Sequence, residues 1–245
     1  MNFFDIENTV ERKPLLIEDL YKKINKKADE SFDEYERFSL IRMAYIECFL
    51  PRMRFAKEKG WVIKLSPDEL SFINDFSRRK TEAKNKEWGN VDSRSRSTRD
   101  TTGAKFEFGC LKYYGHQKDF DNDIVEHSFK KDYPDLQMLG ILSDVKACHP
   151  NSVPLIKTTS FKIKSGEHEG KRFKCSNIIG VVDDYMIYIL GIATTETLGK
   201  YVSKNLNGSV TNPEKIGFYG AEYLINLPSS WEELTSFCNS NIVAC

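Results

Sequence analysis

Asp144-Val145-Lys146 closes an apolar run that begins at Ile141, and Asp135 stands just upstream. Strand side chains alternate between faces, so Asp144 and Lys146 project to one side while Ile141, Ser143 and Val145 project to the other. A two-residue turn at Leu139-Gly140 would set Asp135 directly opposite Asp144 on the same face, with Cβ atoms roughly 4.5–5.5 Å apart. Two carboxylates that close repel unless a cation lies between them. A hard divalent ion such as Mg2+, or Mn2+, suits all-oxygen ligands and keeps several waters. It lowers the pKa of a bound water and stabilises charge on a phosphate. Lys146 adds a positive charge two residues from a metal ligand, aimed at the phosphate or the attacking water. The chemistry expected of this set is metal-assisted phosphodiester hydrolysis. A tripeptide this short also occurs as an ordinary surface ion pair, so its surroundings decide.

Upstream, Thr101–Gly115 reads as a helix: Thr101 or Thr102 can cap it and Gly115 can end it. Ala104, Phe108 and Leu111 form its apolar stripe, and Glu107 lies beside that stripe, where a purely surface acid is less expected. Downstream, Asn177–Val182 and Tyr185–Ala193 read as two buried strands around a tight turn at Asp183-Asp184. The order is helix, acid-and-lysine hairpin, apolar hairpin.

In this order of elements the chain resembles the PD-(D/E)xK nuclease superfamily, most closely small phage and bacterial members with a pattern near G-A-x-G-E in the first helix. Here that helix reads Gly103-Ala104-Lys105-Phe106-Glu107, with Phe106 in place of the second glycine. The central motif reads Pro134-Asp135, then Asp144-Val145-Lys146. The resemblance spans about Thr101 to Leu198. It implies a restriction-endonuclease-like core, a mixed central sheet flanked by helices, with Asp135, Asp144 and Glu107 at the metal and Lys146 as the catalytic lysine. The interval between the two acids is short for such enzymes, so Asp132, Asp123 and Asp121 stay open as the first acid.

The elements before the motif are helical. Leu16, Leu20 and Ile24 recur at helical spacing, as do Tyr35, Phe38, Ile41, Tyr45 and Phe49 up to Pro51, which ends or kinks that helix. Trp61–Leu65 is short and extended. Ser66-Pro67-Asp68-Glu69 opens a further helix: Ser66 caps it, Pro67 takes its first position and Glu69 completes a capping box. The expected organisation is a helical N-terminal subdomain over 1–91, a Ser/Arg-rich linker over 92–100 and an α/β nuclease core over 101–245. Arg94, Arg96 and Arg99 in that linker suit phosphate oxygens, as a DNA-contacting arm leading into the Glu107 helix. His149, close after Lys146, is a candidate for substrate contact. Trp231–Phe237 reads as a closing helix.

Composition sets loose bounds. The 245 residues are 40% hydrophobic and 12% aromatic, enough for a real core. The 36 basic and 36 acidic side chains cancel, so a DNA partner needs a basic face rather than a basic chain. Six scattered cysteines lack zinc spacing and are expected to be reduced. There is no apolar run of membrane-spanning length, and Met1–Glu7 lacks a signal-peptide pattern, which favours the cytoplasm. Cutting both strands of a duplex often uses two active sites, so a homodimer is an expectation. The other functional class in view is a nuclease-fold module without activity that binds nucleic acid or protein through the Arg94–Arg99 arm.

Overall fold

The computed structural model describes residues 17–26, 33–88, 93–123, 135–136, 139–157, 173–207 and 215–244. Helix α1 (Ile17–Ile24) buries Leu20 and Ile24. Asp33 caps α2 (Glu34–Ala44) with a reciprocal capping box to Glu36. The apolar stripe of α2 meets the core only from Leu40 onward: Tyr35 and Phe38 are 83% and 52% exposed. A π-helical turn, Tyr45–Phe49, joins α2 to α3 (Leu50–Glu58). Pro51 has no N–H to offer the preceding turn, and the wider turn lets the Leu50 amide reach Tyr45 O instead. Pro51 therefore sits at the start of α3 and does not end the helical run.

Strand β1 (Val62–Lys64) leads into α4 (Pro67–Trp88). The capping box expected there is present: Glu69 N donates to Ser66 Oγ at 3.2 Å, and Ser66 N to Glu69 Oε2 at 2.7 Å. Helix α5 runs from Ser93 to Tyr113, so Ser93–Asp100 is not a linker but the first turns of the Glu107 helix. Arg is a good helix former, and no Pro or Gly interrupts 92–102. Helices α4 and α5 pack antiparallel: Lys112 pairs with Glu69 at 2.7 Å, and Phe72 and Phe76 meet Phe108 and Phe120 edge-on or tilted.

The remaining elements are β2 (Ser143–Cys148), β3 (Leu155–Lys157), β4 (Phe173–Lys174), β5 (Ser176–Asp183), β6 (Met186–Ala193), α6 (Thr195–Lys200), β7 (Val202–Ser203), β8 (Lys215–Phe218), α7 (Trp231–Ser240) and β9 (Val243–Ala244). A mixed four-stranded sheet in the order β1-β6-β5-β2 forms the centre, with only β2 and β5 parallel. The apolar hairpin forms with its turn one residue later than expected: β5 and β6 pair antiparallel around Asp184-Tyr185, with Asp183 the last residue of β5 and Asp184 at φ 53°. Beside this sheet lie β3-β8-β7 and β4-β9.

Helix α5 covers one face of the central sheet. A Cβ on Gly180 would collide with the Phe106 ring and lie 2.6 Å from Tyr188 O, so this crossing requires glycine. On the other face α3 packs on β6, where Arg52 Nε donates to Leu190 O at 2.8 Å. The N-terminal helices are not walled off from the α/β part. Their β1 is an edge strand of the central sheet, and Leu20, Phe49 and Ile73 share one core with Ile178 and Leu190. Among the described residues, no helix is long and apolar enough to cross a membrane. Cys48, Cys110, Cys148, Cys175 and Cys238 are buried thiols that are not joined in disulfides.

Candidate active site

The outer edge of β2 carries the acids and the lysine. Asp135 and Leu136 form a turn rather than a strand, so the antiparallel hairpin expected around Leu139-Gly140 is not made. The strand partner of β2 is β5, parallel. A tight hairpin turn needs positive φ at its first position, which Leu139 disfavours. The chain instead closes a longer turn in which Leu139 N and Ile141 N both donate to Leu136 O, with Gly140 at φ 79°. Helix α7 pins this turn: Asn239 Oδ1 accepts from Leu142 N and Asn239 Nδ2 donates to Gly140 O, each at 2.9 Å.

The turn still delivers Asp135 to Asp144. Leu136 N donates to Ser143 O at 3.2 Å. Asp135 N donates to Asp144 Oδ1 at 3.2 Å, and Val145 N donates to Asp135 Oδ2 at 2.9 Å. Lys146 Nζ lies 3.0 Å from Asp135 Oδ2, 3.5 Å from Asp144 Oδ2 and 3.0 Å from Val145 O. One ammonium thus spans both carboxylates. The side chains of Lys146, Asp135 and Asp144 are 26%, 38% and 13% exposed, a half-buried cluster that solvent reaches.

Burial works against the charge on Asp135, but Lys146, the Val145 amide and the field of Lys80 outweigh it and hold the carboxyl below its usual range. For Lys146, burial favours the neutral amine, but Asp135 and Asp144 outweigh it and push the pKa above the ordinary lysine value. The lysine is therefore a fixed cation at neutral pH, not a base.

Glu107 is buried on α5. Phe106 packs at Gly180, whose register partner on β2 is Ala147. By strand alternation Val145 shares the α5 face, while Asp144 and Lys146 project from the other. Among the described residues, no three His, Cys, Asp or Glu side chains converge as a set that could hold a metal.

His149 follows β2 directly, and its Nε2 lies 2.7 Å from Thr102 Oγ1, tying the strand end to α5. Arg94, Arg96 and Arg99 lie on the first turns of α5, with side chains outside the described residues. Asp132 and His127 lie outside the described residues, as do the side chains of Asp121 and Asp123. His116 stacks on Trp231 with ring centroids 4.2 Å apart and pairs through Nδ1 with Asp119 Oδ2 at 3.0 Å.

The site also holds residues that motif reading passed over. Ser143 Oγ donates to Ser176 O at 2.9 Å beneath the cluster. Asn177 is fully buried and stands in register with Asp144. The available signal was a polar residue opening the apolar run Ile178–Val182. No protein-family model, no curated protein and no solved structure matches this chain.

Proposed function

We propose that this protein is a metal-dependent endonuclease of the PD-(D/E)xK type that hydrolyses DNA phosphodiester bonds, with the central sheet and α5 as a restriction-endonuclease-like core. The observation that carries the reading is the Lys146 ammonium spanning Asp135 and Asp144 at the end of an otherwise apolar strand. Two adjacent, half-buried carboxylates already gathered around one cation have the donor chemistry of a hard divalent ion, which needs only one or two carboxylates and fills its shell with water. Asp135 and Asp144 would hold Mg2+ or Mn2+. Bound there, the ion would supply Lewis acidity toward a phosphate oxygen and an acidified water.

The protein's own groups divide the remaining work. Asp135 stays ionised well into the acid range, because its pKa is held low. Lys146 stays charged, so it donates hydrogen bonds to a phosphate oxygen or to the attacking water and balances charge in the transition state. The first turns of α5 bring Arg94, Arg96 and Arg99 onto the helix that His149 ties to the end of β2. They would hold the DNA backbone through salt-sensitive contacts. Plasmid DNA incubated with the protein and Mg2+ or Mn2+ tests the reading: wild type cleaves, and equal cleavage by Lys146→Met removes it.

A second reading draws on the same bonds. Val145 N, Val145 O and Ser143 O lie on the edge of β2 that faces away from β5, and Asp135, Lys146 and Leu136 satisfy them. The cluster would then be a plug for an edge strand in a binding module without activity, with DNA or a protein as its partner. Calorimetry separates the two, since a plug shows no Mn2+ binding that depends on Asp144.

A further inference from the structure

We infer that the side-chain oxygen of Asn177 is a third ligand of the divalent cation, beside Asp144; the inference rests on the nuclease reading above. Asn177 opens β5 and is fully buried. Its Nδ2 donates to Cys175 O at 3.3 Å, while its Oδ1 is buried with no hydrogen-bond partner. The Cys175 bond fixes the orientation of the amide: turned over, it would press Oδ1 against a carbonyl oxygen. A buried acceptor left unpaired loses its hydration with nothing in return, so it calls for a partner.

Parallel register sets Asn177 beside Asp144, on the face of the sheet from which Asp144 and Lys146 also project. Neighbouring strands run about 4.8 Å apart, a span that one cation bridges between two side-chain oxygens. A cation between Asp144 and Asn177 would supply the partner that Asn177 Oδ1 lacks. Amide oxygens are ordinary ligands for such hard ions.

The test titrates Mn2+ into wild type, Asp144→Asn, Asn177→Leu and Asn177→Asp, following free Mn2+ by electron paramagnetic resonance and the melting temperature in parallel. Leucine keeps the branching and the number of heavy atoms of asparagine and removes the oxygen. The expected result is wild-type binding that Asp144→Asn abolishes, at least tenfold weaker binding by Asn177→Leu, and tighter binding by Asn177→Asp. Mn2+ should raise the melting temperature of wild type but not of Asn177→Leu. If Asn177→Leu binds like wild type while Asp144→Asn does not bind, the oxygen serves a trapped water, and this inference falls while the nuclease reading stands. If wild type itself shows no Asp144-dependent binding, the nuclease reading falls and takes this ligand with it. Should Asn177→Leu fail to fold, Asn177→Asp decides alone: affinity equal to wild type overturns the assignment.

Discussion

Replacing Lys146 with methionine separates a catalytic lysine from a structural one, because the two roles move three measurements differently. The change keeps the length of the side chain and removes the charge 3.0 Å from Asp135 Oδ2 and 3.5 Å from Asp144 Oδ2. At an effective dielectric of about 20, unit charges about 4 Å apart interact by about 4 kcal/mol. Solvent reaches between 13% and 38% of these side chains and screens the pair, and desolvation offsets part of the attraction, so the net loss of stability at neutral pH should be about 1–3 kcal/mol. The pH dependence has a definite sign. The folded pKa of Asp135 is depressed, so its stabilisation is present above the ordinary value of 3.8 and is lost as pH falls through the lower, folded value. Urea unfolding at pH 7 and at pH 3 should therefore show a gap between wild type and Lys146→Met that narrows in acid. Without the ammonium, the paired carboxylates no longer share their charge with a resident cation, and Mn2+ should bind about tenfold more tightly. DNA cleavage should nevertheless drop by about two orders of magnitude or more, the scale for removing one transition-state donor. Tighter metal binding together with undiminished cleavage would refute the role assigned to Lys146. A stability gap that does not change with pH would refute the electrostatic account of the cluster.

Three further outcomes follow from the fold around the site. The Asp135 carboxyl should titrate below 3.8 in wild type, followed by carbon-detected NMR, and should move upward in Lys146→Met, where burial is opposed by fewer partners. Gly180→Ala should cost about 3 kcal/mol in urea unfolding, because the new methyl meets both the Phe106 ring and Tyr188 O. Phe106→Leu in that background should recover only part of the loss, since the backbone contact remains. Ser66→Ala should cost about 1 kcal/mol through loss of the α4 cap, with no change in Mn2+ affinity.

What could be read from the residues depended on how local the controlling interaction was. The capping box at Ser66 and Glu69 involves four consecutive positions, and it is present as expected. The β5–β6 hairpin was equally legible, because two apolar runs flank a turn that Asp184 tolerates at positive φ. Pro51 was misleading, since only the packed helices reveal that a π turn absorbs it. The Ser/Arg stretch looked like a linker because it lacks apolar residues, yet nothing in it forbids helix, and α5 extends through it. The face that α5 turns to the sheet was beyond local reading, because it depends on Phe106 meeting Gly180, more than seventy positions away.

Asp135 shows why a right neighbour can follow from a wrong turn. The alternation of β2 and the short interval between the acids demand that 135 and 144 approach, and several backbone routes satisfy that demand. A hairpin would have left the Asp135 carboxylate beside Asp144 as a side-chain pair only. In the observed turn Asp135 instead spends one oxygen on the Val145 amide and donates its own amide to Asp144. The acids are thereby fixed by the backbone before any ion arrives, at the cost of lone pairs that a ligand would otherwise use. Such a site should hold a divalent ion weakly with two acids alone. A third oxygen from within the sheet would then tighten the site, and Asn177 is the residue in register to supply it.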